Sequence, residues 1–151
     1  MAERDRFTAA QWRTLQFAPF WVLSTLMGSY NRFDPRAVRV FTRCLDEAAD
    51  DPTGGPLGRE LFASVAADLA GVAAAYDGDG RTIGSGLVEA ATLLERLAPE
   101  AADDVKAVLF TRIGEGLARA RGPWGEEVSE DDAKTLTLAA AFLAYEPVTQ
   151  P

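Results

Sequence analysis

Residues 34–50 read Asp-Pro-Arg-Ala-Val-Arg-Val-Phe-Thr-Arg-Cys-Leu-Asp-Glu-Ala-Ala-Asp, and they decide the fold class. Asp34 followed by Pro35 is a helix start. The Asp side chain can cap orphan N–H groups, and Pro suits the first helical position with its fixed φ and absent donor. Val38, Phe41 and Leu45 recur at helical spacing and face inward, so the helix runs to about Asp50. Residues 51–56, with two Pro and two Gly, form a loop behind it.

The same grammar repeats in both directions. Downstream, Leu61, Val65, Leu69, Val72 and Tyr76 form one apolar stripe, widened by Phe62 and Ala66, and predict a helix over about Leu57 to Tyr76. Asp77, Gly78, Asp79 and Gly80 break the chain, and a further helix spans about Ser85 to Leu97. Pro99 marks the next start, with Val105, Val108, Leu109, Ile113 and Leu117 on its buried side and residues 122–125 ending it. Ser129 reads as an N-cap, followed by acidic residues where the helix dipole favours them. The last helix carries Leu136, Ala139, Ala140, Phe142 and Leu143 and stops before Pro147.

Upstream, Thr8 is a candidate N-cap. Trp12, Leu15, Phe20 and Leu23 follow at helical spacing, with Phe17 and Trp21 widening the stripe. Pro19 removes a backbone donor, so this helix is expected to kink or divide there. Alternating strand patterns are absent. The expectation is a single all-α domain over residues 1–151, a compact bundle of six helices, or seven if Pro19 divides the first.

Composition narrows the function. The chain of 151 residues has no histidine and one cysteine, which removes Ser-His-Asp and Cys-His catalysis, His-containing zinc sites and any internal disulfide. The net charge of −8 argues against nucleic-acid binding. The charge is uneven: residues 1–50 hold seven Arg against six Asp and Glu, while residues 51–151 hold eight basic against seventeen acidic side chains. The apolar run from Phe17 to Gly28 is far short of the ~20 residues of a membrane span. Glu3 and Asp5 dilute the basic start, and Gln11, Arg13 and Gln16 give the segment a polar face, so a cytoplasmic, unexported protein is expected.

Four features bear on binding. Asp77 and Asp79 offer two carboxylates on a loop, a pattern that suits a hard divalent cation. The EF-hand spacing fails, because Thr82 stands where the loop needs Gly and Val88 where it needs Glu. Glu126, Glu127, Glu130, Asp131 and Asp132 put five carboxylates in seven residues, a second candidate cation site or simply an acidic helix start. Arg32, Arg36, Arg39 and Arg43 recur at spacings of four, three and four and form a candidate partner-binding face. Seven of the fourteen aromatic residues lie between Phe7 and Phe33. Trp12 and Trp21 among them face different sides of an ideal helix, so at least one is a candidate contact for a partner. Cys44 sits beside the core position Leu45 and reads as a buried, inert thiol.

Three stretches carry a family resemblance. Residues 7–23, FTAAQWRTLQFAPFWVL, resemble the N-terminal helix of the TerB-like family, helical domains named for tellurite resistance. Residues 28–38, GSYNRFDPRAV, sit where that family has Ala-Asp-Gly and a capped helix start, and residues 118–121 leading into Val128-Ser-Glu-Asp-Asp-Ala133 are similar to its second copy. The resemblance implies a bacterial helical bundle of two related halves with acidic patches able to hold metal. In the first copy Tyr30-Asn31 and Ala37 replace the acidic positions, and in the second Asp132 stands where Glu is usual. The expected function is therefore a non-enzymatic helical module that binds a protein partner or a second copy of itself, with no obligate cofactor. The alternative is a stress-response protein that binds Ca²⁺ or Mg²⁺ through its loop carboxylates.

Overall fold

Helix α1 (Ala9–Met27) is the axis around which the chain is wound. Thirteen of its 19 residues are buried, which a one-sided stripe cannot achieve. In the computed structural model, which describes residues 2–27, 35–121 and 128–146, α1 touches helices on several sides. They are α3 (Gly55–Ala67), α4 (Leu69–Asp77), α5 (Ile83–Leu97), α7 (Gly116–Arg121) and α8 (Glu130–Phe142). Helix α2 (Pro35–Asp50) packs mainly on α3, and α6 (Pro99–Val108) packs on α3 and α5. No strand occurs among the described residues, so the fold is all-α.

The start of α1 is specified locally. Gln11 N–H donates to Thr8 Oγ1 (3.1 Å) and Thr8 N–H donates to Gln11 Oε1 (2.8 Å), a reciprocal capping box. Phe7, just ahead of the cap, packs on Trp12 with ring centroids 5.9 Å apart and fixes the angle of entry. Pro19 does not divide α1. Its ring and both neighbours are buried, and the packing around them holds the helix through the missing hydrogen bond.

The division falls elsewhere. The stripe from Leu57 to Tyr76 is two helices, α3 and α4, broken at Asp68 (φ −133°, ψ 47°). Asp68 abandons helical geometry, its carbonyl accepts from Val72 N–H (2.9 Å), and its carboxylate lies against the bare Cα of Gly71. A short polar side chain that competes for backbone groups, followed three residues on by glycine, permits this turn. A second departure follows α6. Leu109–Glu115 forms π-helical turns before α7 begins, so Pro99 to Arg121 is one continuous but rewound helix.

Gly86 sets the closest approach of α1 to α5. A Cβ there would stand inside the Trp21 indole, against Cε2 and Cζ2 and 2.6 Å from Cδ2. One contiguous core results. Trp21 meets Phe17 edge to face (5.7 Å), and Tyr76 meets Phe17, Phe20 and Trp21 at 5.6, 5.1 and 6.1 Å. The Ser24 and Tyr76 hydroxyls share a buried hydrogen bond of 2.8 Å across α1 and α4.

Candidate interaction surfaces

The loop from Gly78 to Thr82 joins α4 to α5, and Arg81 rather than a cation organises it. Arg81 N–H and Nε donate to Asp79 (3.1 Å each), and Nη2 lies 3.0 Å from Asp79 Oδ1. Nη1 donates to Thr14 Oγ1 (3.0 Å) and Glu89 Oε2 (2.7 Å). The guanidinium lies over the Trp21 and Phe17 rings at 5.1 and 5.9 Å. Burial pushes the Asp79 carboxyl up, but the Arg81 hydrogen bonds and charge outweigh that and hold it below the usual carboxylate value. Asp77 is exposed.

A cleft of about 520 Å³ opens here between α1, α4 and α5. Its charged lining is Arg13 and Arg81 against Asp79 and Glu89, which balances to zero. A divalent ion at Asp79 would have to displace a guanidinium that already chelates both carboxylate oxygens. The structure therefore does not assemble the cation site that the loop spacing suggests.

The second acidic cluster is also dispersed. Ser129 caps α8 by accepting from Asp132 N–H (3.1 Å). Asp132 is buried, whereas Glu130 is exposed and lies 3.9 Å from Lys134. Asp131 is exposed, and Glu126 and Glu127 lie outside the described residues. Among the described residues no group of three or more Asp, Glu or Cys side chains converges to hold a metal.

The aromatic candidates are corrected outright. Trp12 is 3% exposed and Trp21 1%, so neither offers a surface to a partner. They face different sides of α1, as their spacing requires, but α1 is covered on both of those sides. Arg4 lies over the outer Trp12 ring at 5.8 Å.

The arginine face of α2 is real in part. Arg36, Arg39 and Arg43 are exposed, while Arg32 lies outside the described residues. Arg36 reaches across to donate to the Ala120 carbonyl (3.3 Å) near the end of α7, where a cation complements the helix dipole. Arg39 and Arg43 project from the surface. Below Arg43, Cys44 is buried at the contact with Gly116, and burial raises its thiol to about 11.

The feature that periodicity missed lies on the other flank of α2. Val38 and Phe41 of α2, Phe20 and Leu23 of α1, and Leu69, Ala70 and Ala73 of α4 line an open groove of about 330 Å³. Phe20, Leu23 and Phe41 form its buried floor. Val38, Leu69 and Ala73 are half-buried walls, and Ala70 is exposed at the rim. Every lining side chain is apolar. The break at Asp68 starts α4 afresh, and Leu69 at its first position makes one wall. Val88 and Leu138 are large apolar side chains exposed elsewhere, on α5 and α8.

No family model, curated protein or solved structure matches this chain. No helix among the described residues is long and apolar enough to cross a membrane.

Proposed function

We propose that this chain is a cytoplasmic, non-enzymatic bacterial helical module, TerB-like in kind, that holds an apolar segment of a protein partner in the groove between α1, α2 and α4. The groove carries the proposal. A concave surface of about 330 Å³ with wholly apolar walls suits apolar side chains presented at helical spacing by a partner helix. Burying two Leu- or Phe-sized anchors there contributes about 3–6 kcal/mol before the costs of association, which predicts a weak, transient complex. The non-enzymatic part rests on the side-chain inventory. The chain has no histidine, and its one thiol is buried and protonated at neutral pH.

Selection of displayed peptides against the wild-type chain, with depletion against Ala70→Arg, tests the reading. Ala70 is exposed, so the variant should fold while placing a charge on the groove rim. The expected result is enrichment of amphipathic sequences with apolar residues at i, i+3 or i+4 and i+7. Selected peptides that bind both chains equally would overturn it.

A further inference from the structure

The solvent side of α2 carries a second pattern, separate from the groove. Arg39, Arg43, Asp46 and Asp50 recur at spacings of four, three and four, and all four are exposed. They form one stripe, cationic toward the N-terminus of α2 and anionic toward its C-terminus. This order opposes the helix dipole, which favours acids in the first turn and bases in the last, and α2 has neither. Nor do the charges serve each other. Arg119 pairs with Glu115 and Lys134 with Glu130 at the i,i+4 spacing. Arg43 and Glu47 share that spacing, yet among the described residues neither they nor Arg39, Asp46 or Asp50 form an ion pair.

We propose that this stripe is a self-complementary surface on which a second copy of the chain docks, its α2 antiparallel to the first. With the two-fold axis passing between Cys44 and Leu45, Arg39 stands opposite Asp50 of the second copy and Arg43 opposite Asp46 of the second copy. Symmetry repeats both pairs, so four ion pairs form from one stripe. A parallel arrangement would set Arg against Arg and Asp against Asp, so the charges themselves select the antiparallel dimer. Exposed ion pairs are individually weak, and the chain's net charge of −8 opposes association. The dimer is therefore transient and salt-sensitive.

Sedimentation equilibrium and pulsed-gradient diffusion of the full chain at millimolar concentration test this directly. The wild type should self-associate, and raising salt from about 50 mM to about 500 mM should weaken the association about tenfold. Arg39→Glu/Arg43→Glu and Asp46→Arg/Asp50→Arg should each be monomeric with unchanged helical circular dichroism. Their equimolar mixture should associate again. Ala70→Arg should self-associate as the wild type does, which separates this surface from the groove and lets either reading fail alone. A wild type that stays monomeric at low salt, or a dimer that survives in both charge-reversed variants, would overturn the proposal.

Discussion

Gly86→Ala and Gly58→Ala place the same methyl group on two buried helical glycines and should move stability in opposite directions. Replacing Gly by Ala inside a helix contributes roughly 0.5–1 kcal/mol through backbone entropy. At Gly58 in α3, the new Cβ meets Val105 Cγ2 at 3.7 Å and Phe62 Cε2 at 3.9 Å, ordinary contact distances, so the gain should be kept. At Gly86 the Cβ would lie 2.6 Å from Trp21 Cδ2 and closer still to two other ring atoms. Relieving that overlap needs a shift of about 1 Å or more toward normal carbon contact. Trp21 is 1% exposed and is wedged among Phe17, Tyr76 and Arg81, so it has nowhere to go. Overpacking of this kind costs roughly 1–3 kcal/mol or more and outweighs the propensity gain. For a chain of 151 residues, with about 2–4 °C per kcal/mol, the net loss of about 0.5–2 kcal/mol in Gly86→Ala should lower Tm by about 1–8 °C, and Gly58→Ala should raise it by about 1–4 °C. Differential scanning calorimetry reads both. Trp21→Phe should cost less in the Gly86→Ala background than in the wild type, because the two changes act on one contact. Equal shifts for the two alanine variants, or a more stable Gly86→Ala, would refute the packing of α1 against α5 given above.

Three further outcomes follow from single contacts. Tyr76→Phe strands the buried Ser24 hydroxyl and should cost about 1–3 kcal/mol by denaturant titration, with much of the loss recovered when Ser24→Ala is added. The Asp51 carboxyl is held low, first by the hydrogen bond from Arg112 Nε (2.8 Å) and then by Thr53 N–H (2.9 Å). A depressed carboxylate stabilises the fold above its ordinary pKa and loses that contribution as pH falls through the folded value. The Tm gap between wild type and Asp51→Asn should therefore be steady above about pH 5 and shrink below about pH 4, whereas a constant gap would contradict the pairing. Cys44, buried with its thiol raised to about 11, should resist an aromatic disulfide reagent at neutral pH and react fully in guanidinium; rapid native labelling would place it at the surface instead.

The legible parts of the sequence were those fixed locally. Thr8, Ser129 and the Asp34-Pro35 start depend on residues within one turn, and the caps at Thr8 and Ser129 form as the spacing suggests. The apolar stripes correctly made an all-α fold. Periodicity failed where a neighbouring helix decided the outcome. Pro19 reads as a break but is held by packing on both sides, whereas Asp68 lies inside what the apolar stripe marks as one helix and divides it. Trp12 and Trp21 face different sides of α1, which suggests that one is exposed. Only the tertiary arrangement shows that both sides are covered. The Asp77–Asp79 site illustrates a nearer miss. Its cation is Arg81, two residues along, and a basic side chain so close to paired carboxylates was a signal available in the sequence. The groove left no such trace. Val38, Phe41, Leu23 and Leu69 look like ordinary core positions on three separate helices, and no one-dimensional pattern reveals that their packing leaves a furrow.

Methyl-labelled NMR titration with an amphipathic, leucine-bearing helical peptide examines that groove most directly. Saturable shifts are expected at Leu23, Val38, Leu69, Ala70 and Ala73, lost in Ala70→Arg. Shifts centred instead on the exposed Val88 and Leu138, or shifts that Ala70→Arg leaves intact, would contradict it.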